Sequence, residues 1–327
     1  MHLDQTLHNK AEVCFCKMSA LIHKADKAPT PFIADFERSL GRVLSKEFNL
    51  VSERAVKSAM KAYSGKESQA QVKRIMATVD KEMAKFGSDK LVDTVEESIG
   101  VFYKEVTSRF IREFKLREPK EEVQKASRPV GQVSIDFTLK DRDAINATQR
   151  LTVQTAGKYY PEQLRDKTNE VIREVVLEKG LPPEEAAIRL EAEIRGALGV
   201  KEAASVIPTR FATNPTAYFE IVASNASVTA TSLGRVIAMA DAGVEKWKVS
   251  AVIDSRTSQI CRSLDGREFT TGQTMTGVEK FLGIQNFDDL GSEFGFTKDG
   301  SVPKWADSGL GFPPYHHSCR STVVPVF

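Results

Sequence analysis

Lys246-Trp247-Lys248-Val249-Ser250-Ala251-Val252-Ile253-Asp254-Ser255-Arg256-Thr257-Ser258-Gln259-Ile260-Cys261 is the stretch on which the reading of this chain turns. Its first half, Lys246 to Ile253, alternates and is rich in Val, Ile and Trp, the pattern of a half-buried strand. Cys261 then falls in a turn or short helix, and Leu264-Asp265-Gly266-Arg267-Glu268-Phe269 reads as a turn leading into a second strand. A second block answers the first near the end of the chain: Gly311-Phe312-Pro313-Pro314-Tyr315-His316-His317-Ser318-Cys319-Arg320. Thr322-Val323-Val324-Pro325-Val326 offers a short closing strand. Cys261, Cys319, His316 and His317 are soft or borderline donors and Asp254 is a hard one. The whole chain has only 5 His and 4 Cys, so their gathering at one end marks this region as the functional one.

Working outward, everything before this region reads as a helical scaffold. Phe32, Ile33, Phe36, Leu40, Val43, Leu44 and Phe48 recur at three- and four-residue steps, which places one apolar stripe on a helix. Thr30-Pro31 suits a cap followed by proline at the first helical position. Further stripes run over Val51 to Tyr63, Val72 to Phe86 and Leu91 to Phe114, punctuated by Gly65 and Gly87-Ser88. They are too irregular for a heptad seam, which favours an antiparallel helical assembly over a coiled coil. Residues 117–131 are charged and carry Pro119 and Pro129, the composition of a linker. Val133, Ile135, Phe137 and Leu139 alternate like a strand, and helix is expected again from about Asp141. Leu181-Pro182-Pro183-Glu184-Glu185 starts another helix that ends at Gly199, and residues 205–243 hold one or two more. Residues 285–312, full of Gly, Asp and Ser, read as a long loop that needs something to hold it.

The expected fold is therefore α+β and mainly α, an elongated helical region followed by a small module with a short antiparallel sheet. Residues 1–118 form the helical region, 119–204 a linker with a short strand and helices, and 205–327 the terminal module. At 327 residues with 41% hydrophobic content the chain has material for real cores, and a mean hydropathy of −0.29 fits a soluble protein. No run approaches the ~20 apolar residues of a membrane span, and Met1-His2-Leu3-Asp4-Gln5 does not begin a signal peptide. A net charge of +2 argues against a surface devoted wholly to nucleic acid. Four cysteines in this length make no disulfide framework, so a reducing cytosol is expected.

The terminal cluster admits four readings. Cys261, His316 or His317, and Cys319 could bind zinc, with Asp254 as a fourth ligand of a tetrahedral site. Such a metal would clamp the Gly-rich stretch between 270 and 312. Alternatively the two cysteines are small buried residues and the histidines merely hydrogen-bond. A cysteine activated by His316 or His317 would make a nucleophile. A Cys261–Cys319 disulfide is the fourth reading. Cys14-Phe15-Cys16, with His8 and His23 nearby, has no spacing that favours a site, and Lys57, Lys61, Lys66, Lys73 and Arg74 read as a solvated helix face.

With these residues in view, the terminal region resembles the phage Mu F-like minor head protein family, also called the head morphogenesis family. The resemblance rests on Trp247, Asp254-Ser255-Arg256-Thr257, Cys261, Leu264-Asp265-Gly266 and Pro313-Pro314-Tyr315-His316-His317-Ser318-Cys319-Arg320, in that order, and covers roughly residues 180–327. His316 aligns with the family histidine. One departure is Cys319-Arg320-Ser321, where the family often has Cys-Arg-Cys; it removes one candidate ligand. The resemblance implies a structural component of a tailed bacteriophage virion, inside the capsid at the portal vertex, that assists head assembly and DNA packaging or ejection. Its implied partners are the portal protein, the scaffold or major capsid protein and packaged DNA, with no membrane, and host cytoplasm as the site of assembly. No catalytic role is implied. The competing reading is a metal-dependent hydrolase or nuclease built on Asp254, Cys261, His316 and Cys319, or on Asp254, Asp265 and His316.

Overall fold

A computed structural model describes residues 31–114, 137–178, 182–199, 215–297 and 301–327, with Glu67, Ser88, Asn286 and Ser318 excepted. The linker expected at 117–131 and the Cys14-Phe15-Cys16 pair lie outside the described residues.

Helix α1 runs over Pro31–Ala62 and joins the first two expected stripes. Phe48 and Val51 are three residues apart and both buried, with no Gly or Pro between them, so the apolar face continues without a break. Helix α2, Gln69–Met83, is capped by Ser68, whose hydroxyl accepts from the Gln71 amide. Helix α3 covers Asp89–Phe114. Gly65 at φ +72° and Gly87 at φ +93° make the left-handed turns between these helices, a conformation in which a Cβ is costly.

The strand expected over Val133 to Leu139 is not formed in its described part. Thr138 instead caps helix α4, Leu139–Gly157, through a capping box with Asp141. The Asp141 carboxylate accepts from the Thr138 amide at 2.7 Å and from the Tyr103 hydroxyl at 2.7 Å. Asp141 and Tyr103 are both buried, so this cap is tied into the core, and local capping chemistry overrides the alternation that suggested a strand. Residues 133–136 fall outside the described part. The helix at Pro183–Ala197, α6, begins where its prolines and acids predict, and Gly199 at φ +71° closes it. Between α4 and α6, α5 (Arg165–Arg173) is flanked by two π-helical turns, Tyr160–Leu164 and Glu174–Glu178.

Residues 205–243, expected to hold one or two helices, form a single helix in their described part: α7, Pro215–Asp241. Buried residues occur nearly all round it, among them Phe219, Val222, Ala226, Ala230, Leu233, Val236, Ile237 and Met239. A helix apolar on every side belongs in the middle of an assembly. Accordingly α7 packs against α1, α3 and α4, and also against the terminal strand and the helix that follows the second strand. At Gly234 an added Cβ would collide with the Thr107 side chain of α3, so the small residue permits the close crossing. One continuous cluster of buried residues runs from Leu40 of α1 through α7 to Val323.

The protein is mainly helical with one small three-stranded antiparallel sheet near the C-terminus. Strand β1, Lys246–Ser250, is central, with β2 (Glu268–Thr270) on one side and β3 (Thr322–Val326) on the other. Trp247 sits opposite Phe269 in one partner and Pro325 in the other. The stretch read as loop is more ordered than its composition suggests. It follows α9 (Thr271–Gly283) and itself contains α10 (Phe287–Phe294) and α11 (Lys304–Asp307). Thr270 caps α9, and Phe281, Phe294, Trp305 and Phe312 stack edge-on at one end of the same core. Four aromatic residues spaced far apart in sequence hold this excursion, which a count of Gly and Asp does not register.

Candidate metal centre

Three structural decisions assemble the site. First, Ser258 caps the short helix α8, Gln259–Leu264, by accepting from the Cys261 amide, which fixes Cys261 in its first turn. Second, Asp265 accepts from the Ala251 amide at 2.8 Å and Gly266 takes φ +74°, so the chain doubles back from α8 to β2. Third, β3 pairs with β1 and thereby draws His316, Cys319 and Ser321 back to Cys261 of α8.

The result brings together Cys261, His316 and Cys319, whose donor atoms all lie within 4.8 Å of one another. The two sulfurs are 3.7 Å apart, and His316 Nε2 is 3.0 Å from Cys261 Sγ. His316 Nδ1 donates to the His317 carbonyl at 2.7 Å; because that carbonyl can only accept, Nδ1 carries a proton and Nε2 faces the sulfurs. Histidine ligands are typically oriented this way, by a backbone carbonyl on the far nitrogen. Cys261 and Cys319 are 3% and 1% exposed and His316 is half-buried.

Electrostatics distinguish the two thiols. A hydrogen bond from the Cys319 thiol, with others from His316, Ser258 and Ser321, holds the Cys261 thiol below its ordinary value. Burial pushes Cys319 up, so it keeps its proton and donates it to Cys261. The same contact with Cys261 raises His316. A divalent cation held by these donors would favour the ionised form of both sulfurs. Two thiolates and one imidazole form a soft-to-borderline set that suits zinc better than magnesium or calcium. In tetrahedral coordination two sulfurs about 2.3 Å from the ion stand about 3.8 Å apart, close to the separation seen here. These three side chains could hold a metal ion.

His317 and Asp254 lie elsewhere. The His317 ring stands edge-on to Phe296 and near the Asn225 amide. Asp254 is not brought to the sulfurs. Its carboxylate accepts two hydrogen bonds from Arg320, at 2.8 and 2.6 Å, and a third from the Arg256 amide at 2.8 Å. The Arg320 guanidinium holds this carboxyl well below the usual range. The Asp-Ser-Arg-Thr segment is thus a self-bonded turn locked to the far block by a bidentate ion pair. Ser258 and Ser321 complete the surroundings of Cys261: Ser258 Oγ lies 2.8 Å from His316 Nε2, and Ser321 Oγ donates to Cys261 Sγ at 3.1 Å. Neither serine stands out as a site residue in the sequence. The cap position of Ser258, and the nearness of Ser321 to Cys319 in the chain, are the signals that place them.

A Cys261–His316 pair at 3.0 Å is also what a thiol nucleophile would use, but the sulfur is walled in by protein and faces a second sulfur. Both cysteines are free thiols. No family model, curated protein or solved structure matches this chain.

Proposed function

We propose that the chain is a structural minor head protein of a tailed bacteriophage, seated at the portal vertex inside the capsid, and that Cys261, His316 and Cys319 hold a zinc ion that clamps its terminal module. One observation carries this reading. The residues on which the family resemblance rests meet in space and pair largely with one another. Asp254 bonds Arg320 across 66 residues, Cys261 meets His316 and Cys319 across 55 and 58, and Asp265 bonds Ala251. Trp247, fully buried, donates from Nε1 to Thr274. A motif whose polar atoms are occupied inside the module is architecture, and architecture is what a protein that docks in an assembly needs. The enzymatic alternative draws less support, since Asp254, its first carboxylate, is engaged by Arg320 and stands apart from the three donors. No helix among the described residues is long and apolar enough to cross a membrane.

Two experiments test this. Co-expression with the portal, scaffold and major capsid proteins of the same phage should incorporate the chain into heads, and its absence from purified heads refutes the role. Elemental analysis should find about one zinc per chain in the wild type and none in a Cys261→Ala, Cys319→Ala double variant. Metal-free wild-type protein, purified without chelator, refutes the clamp.

A further inference from the structure

We infer that an ion held by Cys261, His316 and Cys319 finds its fourth donor on the Ser321 side, as an oxygen: the Ser321 hydroxyl or a water that it holds. The inference rests on the metal reading above and adds to it a coordination position that is open to exchange with small ligands.

The donor count comes first. A tetrahedral ion of the zinc class needs four ligands, and the described residues supply three His, Cys, Asp or Glu side chains at this point. Asp254, the acidic residue that the sequence offers as a fourth ligand, is held by Arg320 through both oxygens, and Asp265 accepts from the Ala251 amide. What does border the donors is hydroxyl. Ser258 Oγ is 2.8 Å from His316 Nε2, but it is already the cap of α8, accepting from the Cys261 amide. It therefore belongs to the layer that orients the ligands.

Ser321 is differently placed. It is 3% exposed, and its Oγ points at Cys261 Sγ from 3.1 Å. Cys319 and Ser321 are two residues apart in the segment that leads into β3, and both side chains reach Cys261 of α8, at 3.7 and 3.1 Å. Oxygen, sulfur, sulfur and nitrogen thus converge from two chain segments, with Ser321 on the side that no stronger donor occupies. An oxygen in that place is a weak ligand beside two thiolates. Three protein donors plus an oxygen is the composition of sites that exchange a ligand, whereas four strong protein donors make a closed structural site. The burial of both cysteines and of Ser321 restricts entry to small ligands, with His316 as the half-buried side.

The test loads the full chain with Co(II), whose sulfur charge-transfer band counts thiolates and whose visible bands report the fourth ligand. Wild type, Ser321→Ala and Ser321→Cys are compared, each checked for folding by circular dichroism without metal. In wild type, added imidazole should shift the visible bands. In S321C the charge-transfer intensity should grow in the proportion of three thiolates to two, the imidazole response should vanish, and zinc should bind roughly tenfold or more tightly, the scale on which even outer-shell partners move metal affinity. Ser321→Ala separates the two oxygens. A shifted wild-type-like spectrum with weaker binding assigns the ligand to the hydroxyl itself, and unchanged bands assign it to water. A folded S321C with unaltered intensity and affinity overturns the inference, as does a wild type blind to imidazole. Wild-type protein that takes up no Co(II) or zinc overturns the metal reading as well, so the two failures are distinguishable.

Discussion

Replacing Thr274 with valine isolates the polar contact that ties the sheet to α9. Trp247 Nε1 donates to Thr274 Oγ1 at 2.9 Å, and the Thr274 hydroxyl donates in turn to the Gly309 carbonyl at 2.8 Å. Both side chains are 0% exposed. One hydroxyl therefore links strand β1, helix α9 and the turn after α11. Valine keeps the branch and nearly the volume, so the cavity contribution is close to nil. What changes is that a buried indole N–H and a buried carbonyl lose their partner. At about 1–3 kcal/mol per orphaned group, less what is regained from burying a methyl in place of a hydroxyl, T274V should cost about 1–5 kcal/mol. Trp247→Phe also destabilises, through lost ring volume. In the double variant the orphaned N–H no longer exists, so the combined cost should fall short of the sum by about 1–2 kcal/mol. Urea unfolding followed by far-ultraviolet circular dichroism measures all three variants. A T274V protein within about 0.5 kcal/mol of wild type, or strict additivity in the double variant, would refute the relay.

Three further outcomes are expected. Burial pushes the hydroxyls of Tyr103, Tyr160 and Tyr315 above their ordinary value and that of Tyr159 up to about 12, with Asp141 adding to the effect at Tyr103 and Asp80 at Tyr160. A folded value above the unfolded one means stability that is present below about pH 10 and lost as pH rises past it; tyrosinate absorbance from these residues should appear only together with unfolding. Asp254 has the opposite sign. Its carboxyl is lowered by Arg320, so its contribution is present above about pH 4 and disappears as pH falls, and Asp254→Asn should flatten the stability profile between pH 5 and pH 2. An unchanged acid slope in D254N would show that the ion pair contributes nothing measurable. Gly277→Ala drives a Cβ into the Leu310 carbonyl and should cost at least about 2 kcal/mol, whereas Gly283→Ala, with nothing within 4 Å, should be neutral or stabilising; equal melting temperatures for the two would refute the close approach.

How much of this was legible depended on whether the deciding interactions were local. The stripes of α1 to α3, the proline start of α6, the alternation of β1 and the Asp265-Gly266 turn depend on neighbours a few residues away, and each stands where the sequence places it, although β1 ends at Ser250, short of the expected Ile253. The convergence of cysteines and histidine was legible as composition, because four Cys and five His in the whole chain leave few ways to gather. The alternation through Phe137 to Leu139 misleads because Asp141, two residues beyond it, closes a capping box that a buried tyrosine 38 residues away secures. The stretch after Gly283 misleads because its order comes from aromatic contacts among Phe281, Phe294, Trp305 and Phe312, which no local pattern records.

By itself, then, the sequence determined the helical class, the position of the sheet and the residue types available for a metal. Periodicity, capping and turn chemistry act over a few residues and are written into the chain directly. Tertiary structure alone decided which of those residues meet. His316 rather than His317 reaches the sulfurs, its Nε2 meeting Cys261 across 55 residues, and Asp254 is diverted to Arg320 by a bidentate ion pair. Ser321 reaches Cys261 because β3 returns beside β1. Each of these choices compares contacts between segments more than 50 residues apart, and such contacts exist only once the chain has closed on itself.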